Sequence, residues 1–136
     1  MLRAVFTALF LLSSSAAFAL SCAQPEMTRQ AIEKTDVIFI GTVTKITESA
    51  TDEMMAPTLY EFTVTKAYKG VAENDSVTVG RAAYWGDRFA DKTSYVILAN
   101  KNMNGVLIAD LCGLSSMEEG AEELIGFLDS SIPKGQ

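Results

Sequence analysis

Val37-Ile38-Phe39-Ile40-Gly41-Thr42-Val43-Thr44-Lys45-Ile46 is the run that decides the fold, because nowhere else are Val, Ile, Phe and Thr so dense. Such side chains suit the pleated, half-buried surface of a strand. The run predicts a strand over 37–46. Gly41 in its interior marks a bulge or sharp bend, since a glycine there packs nothing and relaxes the ladder.

Working outward, residues 48–57 are polar and carry two methionines, which predicts a loop. A second strand is expected over 58–68, where Tyr60, Phe62 and Val64 alternate with Glu61, Thr63 and Thr65. That is the period-two pattern of a half-buried strand. If the two strands pair as a meander, Val37, Phe39, Gly41 and Val43 face Tyr60, Phe62 and Val64 across the core. Glu61 and Thr63 then point outward, which keeps an unpartnered carboxylate out of the interior.

Further strands are expected at 76–80, 94–99 and 106–109, with an irregular stretch at 81–93 and an Asn- and Gly-rich turn at 100–105. A short helix is predicted from Gln24 to Thr35, opened by Pro25 and Glu26 in its first turn. A C-terminal helix is predicted from Ser116 and Glu119 at capping-box spacing, with Ala121, Leu124, Ile125, Leu128 and Ile132 as its apolar stripe. Five short strands with two flanking helices predict a mostly β domain, and the five-stranded OB-fold barrel is the natural candidate.

The chain has 136 residues, 17 acidic and 11 basic side chains, a formal net charge of −6, two cysteines and no histidine. Without histidine there is no Ser-His-Asp or Cys-His pair, and two cysteines cannot close a four-thiolate zinc site. The negative balance argues against nucleic acid, whose affinity rests on clustered Lys and Arg. Length fits one domain.

Residues 1–19 read as a secretory signal peptide: Arg3 supplies the basic start, Ala4 to Leu12 the apolar run, and Ala17-Phe18-Ala19 the cleavage site. The run is too short to span a bilayer. Residues 20–136 form the expected mature domain, periplasmic or secreted. In that compartment an even cysteine count implies pairing, here Cys22 with Cys112. A lipoprotein acylated at Cys22 is the rival reading; it lacks a large aliphatic residue three places before the cysteine and strands Cys112 as a lone thiol.

Several stretches carry a family resemblance: Cys22-Ala23-Gln24-Pro25, then Thr35-Asp36-Val37-Ile38-Phe39-Ile40-Gly41-Thr42-Val43, Phe62-Thr63-Val64 with Tyr68-Lys69-Gly70, Ser94-Tyr95-Val96-Ile97-Leu98-Ala99, and Ile108-Ala109-Asp110-Leu111-Cys112. In this order they resemble the bacterial branch of the netrin-like, tissue-inhibitor-of-metalloproteinases-like (TIMP-like) OB-fold family, over nearly the whole mature chain. The resemblance matches Cys22 to the second cysteine of the family's C-x-C opening and Cys112 to that cysteine's partner. Leu20 stands where the first cysteine would be, and Trp85-Gly86 where its partner's Cys-Gly would be. Closing so long a loop is worth about 4 to 5 kcal/mol in the chain-entropy account.

The resemblance implies an exported, non-enzymatic module that binds a protein partner, with no cofactor and no metal site of its own. Its alternative implication is inhibition of a metalloprotease through the mature N-terminal segment. That route needs a cysteine as residue one, whereas the cleavage site predicts Leu20. Tyr84, Trp85 and Phe89 are the candidate partner-binding residues, because exposed aromatics dominate interface hot spots. The competing structural reading has Trp85 plugging one barrel end. Glu118, Glu119, Glu122 and Glu123 are expected on a solvated helix face rather than around calcium, and Asp52 to Met55 in a solvent-facing loop. Paired carboxylates such as Asp87 and Asp91, or Glu61 and a neighbour, lack the cleft that enzymatic use would need.

Overall fold

The run at the centre of the sequence becomes β1 (Val37–Thr47), which pairs antiparallel with β2 (Pro57–Lys69) on one side and with β4 (Ser94–Lys101) on the other. The computed structural model describes residues 26–48, 56–82, 88–109 and 113–133. β3 (Ser76–Ala82) pairs antiparallel with β2, and β5 (Leu107–Ile108) lies parallel to β3 and antiparallel to β4. The circuit β1-β2-β3-β5-β4 and back to β1 closes a five-stranded OB-fold-like barrel. β6 (Ser116–Met117) adds a short extra strand beside β4.

The register of β1 on β2 is the meander that the alternation predicts, with Gly41 opposite Val64 and Val43 opposite Phe62. It slips between Ile40 and Gly41 and again between Val43 and Lys45. The irregularity expected at Gly41 is therefore present. Phe39, Val43, Phe62 and Val64 fill the barrel, while Thr63 is exposed and Glu61 faces outward to accept a bond from Ser76 Oγ at 3.0 Å. Phe39 and Phe62 meet edge to face with centroids 5.6 Å apart.

β1 is buried on its second face as well. Ile38 and Ile40, with Val96 and Leu98 of β4, lie outside the barrel beneath α1 (Arg29–Lys34) and α2 (Glu122–Ser131). Burial on both faces is why 37–40 is apolar without alternation. Leu124 and Leu128 supply the buried side of α2, as the stripe predicts. Asp129 then ties α2 to β2, accepting from Lys66 Nζ at 2.6 Å and from Tyr68 Oη at 2.7 Å. Burial pushes the Tyr68 hydroxyl above its ordinary pKa, and the bond to Asp129 raises that of Lys66. At α1, Lys69 Nζ caps the C-terminal carbonyls of Ile32 and Glu33, both at 3.0 Å.

Both helix starts differ from expectation. α1 is capped by Thr28, whose Oγ1 accepts from Ala31 N at 3.1 Å, so Glu26 and Met27 precede the helix; Gln24 and Pro25 lie outside the described residues. At the C-terminus, Ser116 spends its backbone on Val96 in β6, so no capping box forms. α2 begins at Glu122 after Ala121, which makes no side-chain cap. A sheet pairing with a residue 20 places away outcompeted a local signal worth about 1 kcal/mol.

Candidate functional site

Among the described residues, Phe89 packs into the barrel interior at its β3–β4 end. Phe89, in the connection after β3, is 2% exposed and drives its ring into the interior. Its centroid lies 4.9 Å from Tyr60, 5.5 Å from Phe62 and 4.7 Å from Tyr95. Arg81, also buried, stacks its guanidinium 4.5 Å from the Phe89 centroid, an arrangement that offsets part of the charge's desolvation. Tyr95 Oη accepts from Ala90 N at 2.7 Å and fixes the connection. Burial raises the Tyr60 hydroxyl's pKa above its ordinary value, against the pull of Arg88.

Phe89 is therefore core, and its ring is not on offer to a partner. The plug that the sequence assigned to Trp85 is, among the described residues, supplied by Phe89. Tyr84 and Trp85 lie outside the described residues, as do Cys22, Cys112 and the disulfide expected between them. Asp87 and the 52–55 loop do too. Glu118, Glu119, Glu122 and Glu123 are all exposed, the last two in the first turn of α2 where the helix dipole favours negative charge. Among the described residues no three of His, Cys, Asp and Glu converge, and no helix is long and apolar enough to cross a membrane.

With the interior filled, concave space is found on the outer face of β2 and β3. A groove of about 670 Å³ runs there. Its floor is Pro57, Leu59 and Thr78, outward-facing positions of strands whose other faces carry the core. Gly80 keeps that floor low: a Cβ at this position would sit 2.8 Å from Ile108 Cδ1 and 3.1 Å from Pro57 Cβ. A side chain there would have to displace the end of the Ile108 side chain and would crowd Pro57.

One wall of the groove is the β4–β5 turn, Asn102 to Val106. Asn102 N donates to Val106 O at 2.9 Å and Gly105 N to Asn102 O at 3.0 Å, with Gly105 at φ 77° where a side chain would strain the backbone. Asn102 Oδ1 accepts from Asn104 N and Val106 N, so one side chain organises the whole turn. This uses Asn for the reason turns favour it. The wall is fastened to β1 through Asp36, which accepts from Lys101 N at 2.8 Å. The opposite wall is the end of β1, Thr47 and Glu48, with Glu48 Oε1 held 2.7 Å from Arg88 Nη2.

The groove's lining carries two charged side chains, Glu48 and Lys101, one of each sign. Thr47, Thr78, Asn102 and Asn104 supply hydroxyls and amides around the aliphatic patch of Leu59, Val106 and Leu107. Convergent hydrogen-bonding groups around apolar surface suit binding. Sequence reading missed this site because its residues come from five separate strands and two connections. The legible part of the signal was the Asn-x-Asn-Gly turn. No protein-family model matches the chain, and no curated protein matches it.

Proposed function

We propose that this chain is an exported, non-enzymatic binding module of the netrin-like type, which meets a protein partner through the outer β2–β3 groove. Export rests on residues 1–19 and their A-x-A site. The observation that carries the binding role is the division of space: aromatic side chains fill the barrel around Phe89, and the groove of about 670 Å³ lies outside it, between a turn and a strand end that are each hydrogen-bonded or ion-paired in place. A preformed concave surface with few charges favours recognition over chemistry.

The test is capture from the envelope fraction with three baits: the wild-type mature chain, a Leu59→Arg/Val106→Arg variant that fills and charges the groove, and a Tyr84→Ala/Trp85→Ala variant. The groove variant should lose a partner that the wild type retains, with an unchanged melting temperature. Identical partner lists from the wild type and the groove variant remove the groove from the function; loss only in the aromatic variant transfers it to Tyr84 and Trp85.

A further inference from the structure

β3 is paired on one side along its full length, from Ser76 opposite Thr63 to Ala82 opposite Pro57. On its other side the ladder to β5 consists of Val79 and Gly80 only. Among the described residues no strand lies on that side of Ser76 and Val77. Alternation of the ladder decides which backbone groups this leaves open. Val64 N donates to Asp75 O, so in the antiparallel register Val77 and Val79 turn their N–H and C=O toward β2. Ser76, Thr78 and Gly80 turn theirs the other way, and Ala109 N donating to Gly80 O at 3.0 Å agrees with that assignment; the pairing of Val79 with Leu107 takes the Thr78 carbonyl, which leaves the Ser76 N–H and C=O and the Thr78 N–H open.

Thr78 lines the groove, so the open edge of Ser76 and the Thr78 N–H begins at the groove's border. Facing it across the cavity are Asn104, Gly105 and Val106, where the chain leaves β4 and turns away before rejoining β3 at Leu107. Unpaired edges are templates for another strand. Chemistry narrows the occupant further. A polyphosphate chain needs a row of cations and stacking aromatics, whereas this lining has one cation, one anion and no aromatic ring. An uncharged backbone whose amides satisfy the edge, with an aliphatic side chain lying on Leu59 and Val106, meets every feature present.

We infer that the groove takes an extended, uncharged peptide segment of a partner chain, which adds as a strand to the Ser76–Thr78 edge of β3. This rests on the reading of the groove as the binding site and specifies what fills it. Main-chain bonds to the edge supply the affinity, and the pocket over Leu59 selects an aliphatic side chain at one alternate position.

The experiment is a titration of the 15N-labelled mature protein with an N-acetylated, C-amidated octapeptide that alternates Thr and Val. Amide signals of Ser76, Thr78 and Asn104 should move together and saturate. The same peptide N-methylated on alternate residues should bind at least about tenfold more weakly, and this arm needs no change to the protein. Thr78→Pro, which removes an edge N–H while sparing the β2 ladder, should weaken binding similarly and leave the fold's spectrum intact. Equal binding of the N-methylated peptide overturns the strand geometry. No shifts with peptide, or saturable shifts at the same residues with oligothymidylate or a neutral oligosaccharide, overturn the peptide occupant. If envelope capture still loses a partner in the groove variant but Thr78→Pro captures it normally, the groove reading stands and this inference falls.

Discussion

Replacing Phe89 by alanine separates the two roles its sequence position allows, a partner contact and a barrel plug. The ring is 2% exposed and meets three other aromatic rings at tilted or edge-to-face angles, with Arg81 across its face. Truncating a buried phenylalanine costs about 3 to 5 kcal/mol through lost transfer energy and the cavity left behind. Each aromatic pair adds about 0.5 to 1.5 kcal/mol, not additively, which places Phe89→Ala toward the upper end of that range. Losing the ring also leaves the Arg81 guanidinium without the face that it stacks on. Phe89→Leu keeps most of the volume and should cost only about 1 to 2 kcal/mol. Urea unfolding followed by circular dichroism, with the disulfide state held constant, reads both. A small domain has about 5 to 15 kcal/mol in total, so the alanine variant should unfold at a visibly lower midpoint. A cost below about 1 kcal/mol for Phe89→Ala would refute the packing argument and return the ring to the surface.

The strand faces are checked by a second pair: Phe62→Ala should cost about 3 to 5 kcal/mol and Glu61→Ala under about 0.5 to 1 kcal/mol, its bond to Ser76 being solvent-exposed; a larger loss from the Glu61 change in the same unfolding assay would reverse the register. Alkaline pH should destabilise the domain. Tyr60 and Tyr68 both have folded pKa values raised above 10.0, and Lys66 above 10.5, so in each case the folded state holds its proton more tightly. Their contribution is complete below those unfolded values and is lost as pH rises through the folded ones, so a melting temperature that climbs between pH 10 and 12 would contradict it. For the cysteines, thiol titration of the unfolded, unreduced mature protein should find none free, and Cys22→Ala should cost about 2 to 5 kcal/mol; two titratable thiols would end the Cys22–Cys112 pairing.

Much of the barrel is legible in the amino acids because strand patterning is a local property. Tyr60, Phe62 and Val64 declare an inner face by alternating with polar residues, and nothing elsewhere in the chain overrides them. The apolar stripe of α2 is legible for the same reason at helical spacing. Where each helix begins was harder to read, since a cap competes with sheet pairing: Ser116 looks like a cap from its neighbours and becomes a strand because Val96 is beside it. Phe89 shows the limit at a single residue. Its neighbours are polar and irregular, so its burial depends on three strands that meet around it.

By itself the sequence determined the five barrel strands but not β6, the inner face of β1 and β2, the bend at Gly41 and a turn within 100–105, each of which follows from side-chain period or from backbone freedom within a few residues. Tertiary structure alone decided the order in which strands neighbour one another, the second buried face of Ile38 and Ile40, and the groove. The reason is distance along the chain. The walls and floor of the groove are drawn from 47 to 107, and β3 shows an open edge before Val79 only because β5 does not join it until Leu107. A property that depends on where one strand stops beside another has no local signature to read.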